Sequence, residues 1–136
     1  MRAGIVAVAM LLLGCGVAFA DQVAEKRVVA TLDPDRVQRA RITGGEYYFD
    51  PRVVVVKVNL PVELEVRKAG GFVPHNIVLK APEAGIDFAE ELGSEVKVIR
   101  FTPTKVGSYP FECGKRFLYF ESHKERGMHG ILEVVP

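Results

Sequence analysis

The chain has 136 residues, 49% of them hydrophobic and 26% charged, with 18 Lys and Arg against 17 Asp and Glu. A chain of that length holds one domain, with enough apolar residues to bury a core without disulfide staples. The near balance of charge excludes a nucleic acid or other polyanion as the partner on electrostatic grounds, and the two cysteines, Cys15 and Cys113, set no disulfide framework.

The N-terminus carries Arg2, an apolar run over residues 5–17, and Ala18-Phe19-Ala20 before Asp21, the layout of a cleaved secretory signal. Residues 1–20 are therefore read as a signal peptide, the run falling short of the ~20 apolar residues a membrane span needs. A rival reading takes Leu12-Leu13-Gly14-Cys15 as a lipoprotein box, with Cys15 as a lipid anchor. The first makes the protein periplasmic or otherwise exported; the second makes it a membrane-anchored lipoprotein. In either case Cys113 is the remaining unmodified thiol, and an exported thiol is open to oxidation unless it is buried or bound to metal.

Residues 21–36 read as an N-terminal extension with a short edge strand over 26–30, and residues 37–136 as the domain proper. A strand over 37–43 is expected to end in a turn at Gly44-Gly45. The valine-rich stretch 52–58 suits a pleated surface. After the turn Asn59-Leu60-Pro61, Val62, Leu64 and Val66 alternate with Glu63, Glu65 and Arg67, which predicts an antiparallel sheet with one wet face. Beyond Ala69-Gly70-Gly71, His75 shares its parity with Ile77 and Leu79, so its imidazole is expected to be half-buried. One short helix is predicted over 87–92, closed by Gly93. Strands follow over 95–101 and 108–113, the latter with Tyr109, Phe111 and Cys113 on one face and Glu112 on the other. The last strand sets Met128, Gly130, Leu132 and Val134 against His129 and Glu133. Short strands between Gly and Pro turns, with at most one short helix, give an all-β chain: a β-sandwich with Greek-key connections.

The hairpin from Tyr109 to Val135 brings together a thiolate (Cys113), an imidazole (His123) and a thioether (Met128), and His75 joins them from elsewhere in the fold. Any one of the four has a plain structural reading: His75 as a satisfied core histidine, Cys113 as an inert buried thiol, Met128 as packing. Taken together, a soft thiolate, two neutral imidazoles and a weak thioether favour one copper ion able to cycle between Cu(I) and Cu(II), with two His and one Cys in a plane and Met on the axis. Such a site suits electron transfer and leaves no vacant position for a substrate. His129 competes with Met128, but its parity with Glu133 sets it on the wet face, and Glu112 faces away from Cys113. Because the thiol must ionise and both imidazoles must be neutral, metal retention is expected to weaken as pH falls toward the free-imidazole value of ~6.5.

Tyr48-Phe49-Asp50-Pro51 before a valine strand, His75-Asn76, the run from Val106 to Cys113, and Gly127-Met128-His129-Gly130 occur in the order that resembles the cupredoxins, the small blue-copper proteins that include plastocyanin and pseudoazurin. The resemblance covers about residues 46–135. It implies a type 1 copper held by His75, Cys113, His123 and Met128, and a carrier of single electrons between redox protein partners that is not an enzyme. Electrons would leave through His123 where it reaches the surface. Lys115, Arg116, Lys124 and Arg126 would bias the partner toward an acidic face. The apolar loop residues Phe117, Leu118, Tyr119 and Phe120 would either shield the metal or dock a partner. The stretch from Cys113 to His123 departs from plastocyanin in being much longer, closer to that of nitrite reductases. Two alternatives stay open: a copper chaperone, storage or sensing protein on the same scaffold, and a red-copper protein resembling nitrosocyanin, with an open position and His129 or a carboxylate as donor. Three histidines cannot build a multicopper oxidase's trinuclear cluster, and a binuclear centre lacks its second cysteine near Cys113.

Overall fold

The structure, a computed structural model, describes residues 26–115, 122–125 and 127–136. The leader, Cys15 and the apolar loop residues 117–120 lie outside the described residues, as do Arg116 and Arg126. The strands are β1 (Arg27–Val29), β2 (Thr31–Leu32), β3 (Gln38–Gly45), β4 (Tyr48–Asp50), β5 (Val53–Lys57), β6 (Val62–Lys68), β7 (His75–Ala81), β8 (Ile86–Leu92), β9 (Lys97–Phe101), β10 (Gly107–Glu112) and β11 (His129–Val135).

They form two sheets, one in the order β1-β5-β11-β10-β7-β8, the other β2-β3-β6-β9 with β4 paired to β3. The all-β sandwich expected from the sequence is what the chain adopts. The sheets are mixed, not purely antiparallel: β1 with β5, β5 with β11, and β3 with β6 run parallel. Such pairs arise because the Asn59-Leu60-Pro61 turn carries the chain from one sheet to the other instead of closing a hairpin, and Gln38 fastens that crossover. Its buried amide donates to the carbonyls of Lys57 (2.9 Å) and Leu60 (3.2 Å) and accepts from the Lys57 amide (2.6 Å). The extension contributes β1 and β2, which edge the two sheets.

The alternation in β6 places Val62, Leu64 and Val66 in the core, where they meet Ile42 and Ile99 of the same sheet and Val54, Ile77, Leu79, Phe111, Leu132 and Val134 of the other. Phe49 and Phe111 join the sheets edge to face, centroids 5.2 Å apart, the arrangement aromatic quadrupoles favour.

Two local expectations are corrected. Residues 87–92 are strand and not helix: Ile86, Phe88 and Leu92 are buried while Asp87, Ala89 and Glu91 are exposed, and β8 pairs with β7 from His75↔Leu92 to Ala81↔Ile86. The helical preference of a short acidic segment yields to sheet pairing because so few residues cannot offset the cost of nucleating a helix. The helical turn falls just upstream, a 3-10 turn at Pro82–Ala84 closed by Gly85 at φ 72°. Gly44 and Gly45, expected to form a turn, end β3 instead, and the chain reverses at Glu46 and Tyr47. Close packing explains Gly44, since a Cβ there would come within 2.5 Å of Leu92 Cδ1 and 3.2 Å of Met128 Cε.

Candidate metal centre

Sheet pairing places two of the expected donors. His75 opens β7 with its side chain on the Ile77 and Leu79 face, and it is fully buried (1% exposed), more deeply than parity alone suggested. Cys113 follows the last residue of β10. Its amide donates to the Met128 carbonyl at 3.0 Å, which extends the β10–β11 ladder one step past Glu112↔His129. Asn76 ties these two strand ends together: its amide donates to Cys113 Sγ (3.5 Å) and its side-chain oxygen accepts from the Gly114 amide (2.7 Å). The sulfur thus meets a fixed backbone donor before any metal arrives.

The other two donors come from a turn. Ser122 and Glu125 form a reciprocal capping box around His123: the Ser122 amide and hydroxyl donate to Glu125 Oε2 (2.7 and 2.9 Å), and the Glu125 amide donates to Ser122 Oγ (3.3 Å). The His123 amide donates to the Lys115 carbonyl (2.9 Å) and its carbonyl accepts from the Met128 amide (2.9 Å), while the Gly127 amide donates to Lys124 (2.9 Å). Gly127 turns the chain at φ 99°, a value that favours glycine. This Ser-x-x-Glu signal is legible in the sequence; Tyr47, whose ring lies against both histidines, leaves no signal there.

The folded chain brings His75, Cys113 and His123 together, all buried, with their donor atoms within 4.8 Å of one another. Nδ1 of His75 lies 3.1 Å from Nδ1 of His123, and Cys113 Sγ lies 3.4 Å from His123 Nδ1 and 4.0 Å from His75 Nδ1. One ion with bonds of about 2.0–2.3 Å to nitrogen and sulfur spans such separations. Met128 is fully buried beside them, held by its backbone bonds to Cys113 and His123. Soft sulfur and neutral imidazole donors fit one copper ion.

Electrostatics prepare the imidazoles. Burial, then the neighbouring His123, then Lys68 lower the His75 pKa from 6.5 to about 4. The ring is therefore neutral, as a metal ligand must be, across the physiological range. Proton competition at His75 begins near 4, well below the ~6.5 expected from a free imidazole.

His129 lies outside the cluster as its parity predicted: it is exposed, with the Arg52 guanidinium 3.2 Å from its Nδ1. Glu112 points away and binds Lys124 at 2.7 Å. Lys115 is paired with Glu91 at 2.7 Å, so the two described cations of the expected acidic-partner face already have partners on the protein itself. His123 is 1% exposed and does not itself reach solvent.

No family model and no curated protein matches the chain. Solved structures do. The metal-binding domain of the Cu(I)-exporting P-type ATPase CopA of Streptococcus pneumoniae, determined with Cu(I), gives a TM-score of 0.60 at 28% identity, covering 82% of this chain and 98% of that one. Dithionite-reduced auracyanin from Roseiflexus castenholzii gives 0.57 at 22% identity, over 72% and 97% of the two chains. Auracyanin A, a blue copper protein of Chloroflexus aurantiacus, gives 0.53 at 20%, over 73% and 99%. The chain is a cupredoxin in fold. Within that fold, His75, Cys113, His123 and Met128 stand at the start of β7, past the end of β10 and before β11. Among the described residues, no helix is long and apolar enough to cross a membrane.

Proposed function

We propose that this cupredoxin is an exported carrier of single electrons, with one type 1 copper held by His75, Cys113, His123 and Met128. The reading is carried by one observation: two imidazoles and a thiol converge within 4.8 Å in a buried pocket, next to a buried thioether. Copper, when bound, supplies a Cu(I)/Cu(II) couple. The protein's own part is to hold the donors in place and dry, so that little needs to move when the charge changes. Asn76 fixes the sulfur, the capping box fixes His123, and burial keeps His75 neutral. Nothing in this role calls for catalytic turnover. A redox protein is the partner, and the leader over residues 1–20 directs export, with lipidation at Cys15 as the other outcome.

A second reading, copper carriage and hand-over, is favoured by the likeness to a domain of a Cu(I) exporter. Visible absorption, EPR and voltammetry of the mature protein after adding Cu(II) decide between the two. An intense sulfur-to-copper band with narrow hyperfine splitting and a reversible wave, lost in Cys113→Ser and shifted in Met128→Ala, is the expected result. A weak spectrum insensitive to Met128, with copper passing readily to a chelator, would replace the electron carrier by the hand-over protein.

A further inference from the structure

Tyr47 sits at the reversal between β3 and β4 with φ 60°, a left-handed conformation that bulky L-residues rarely adopt. An aromatic residue held there needs a reason. Its ring stands edge to face on both histidines of the cluster, 5.0 Å from His123 at 84° and 6.1 Å from His75 at 85°. Among the described residues it is the aromatic ring that touches both. Tyr47 is itself partly exposed, whereas His75 and His123, on which its ring packs, are each 1% exposed. The same reversal meets the loop that carries Met128, since a Cβ on Gly127 would lie 3.7 Å from the Tyr47 carbonyl oxygen.

From this we infer that Tyr47 is the cover of the metal pocket, a positioning residue that closes the His75, Cys113 and His123 cluster to water, anions and thiol reagents. It binds no metal. The ring does the covering, and the left-handed turn is what brings it over the donors. Metal shielding by Tyr47 rests on the copper reading above, but closure of the pocket can be measured without metal.

The test uses the full chain with Cys15→Ser, so that Cys113 is the one thiol. In the metal-free protein, the rate at which a disulfide reagent modifies Cys113 should rise roughly tenfold or more in Tyr47→Gly and Tyr47→Asn, residues that tolerate the left-handed turn, and stay near the parent rate in Tyr47→Phe. After Cu(II) loading, azide should shift the absorption of the Gly and Asn variants and leave the parent and Phe proteins unchanged. Denaturant midpoints identify a variant that has simply unfolded, and in that case Tyr47→Leu replaces it, with faster Cys113 modification again expected. Unchanged thiol reactivity in folded Gly and Asn variants would overturn the inference. So would a Phe variant as reactive as Gly. A parent that takes up no copper while Tyr47→Gly still exposes Cys113 would sink the copper reading and leave the cover standing.

Discussion

The four candidate donors divide into two that are fixed by sheet and two that are fixed by a turn. His75 and Cys113 sit at strand ends whose positions are set by β7, β8, β10 and β11 ladders, and Asn76 links them across the gap. His123 and Met128 depend on a short turn closed by Ser122, Glu125 and Gly127. The difference implies an order: the sheet pair exists as soon as the sandwich folds, while the turn pair has a local stability of its own that can be altered without unfolding the domain.

Acid should act first on the sheet pair. His75 has its pKa lowered to about 4 in the folded metal-free protein, against an ordinary 6.5. Between those values the unfolded chain binds a proton that the folded chain refuses. His75's contribution is therefore complete above 6.5 and is lost as pH falls toward 4, amounting to about 2 kcal/mol between pH 7 and pH 5. Urea midpoints of the metal-free protein at those two pH values check it. A slope that persists unchanged in His75→Gln would assign the effect elsewhere.

Removing the link within the sheet pair comes next. Asn76→Ala deletes the acceptor for the Gly114 amide and should cost about 0.5–1.5 kcal/mol, with a shift of the sulfur-to-copper band because the chain just past Cys113 loses its anchor, while the Asn76 amide still donates to Sγ. If stability falls while the spectrum of the loaded protein stays the same, Asn76 serves the fold alone and the two pairs are less distinct than drawn here.

The smallest change is expected from the turn pair. Glu125→Ala opens the capping box and should cost the local turn about 1 kcal/mol, and so loosen copper more than it loosens the fold. The comparison is sharpened if chelator extraction quickens several-fold in Glu125→Ala while the urea midpoint barely moves. Equal losses in both would mean that the turn and the sheets open as one unit.

Much of the site was legible in the chain itself. The candidate donors His75, Cys113, His123 and Met128 could be named from order and type, and parity correctly set Met128 inside and His129 outside, because alternation along a strand transmits burial from one residue to the next. The strands over residues 62–68 and 129–135 were readable for the same reason. Residues 86–92 were not: their alternation is broken at Glu90, which falls on the Ile86, Phe88 and Leu92 parity, and what makes them a strand is the edge offered by β7.

By itself, then, the sequence determined the class of the fold and the candidate donors, since periodicity and side-chain chemistry are local properties. Tertiary structure alone decided three things: that the sheets are mixed, that His75 is buried enough to stay neutral to about pH 4, and that Tyr47 lies across both imidazoles. Each depends on which distant segments meet, and hydrophobic alternation says which face is buried without saying against what.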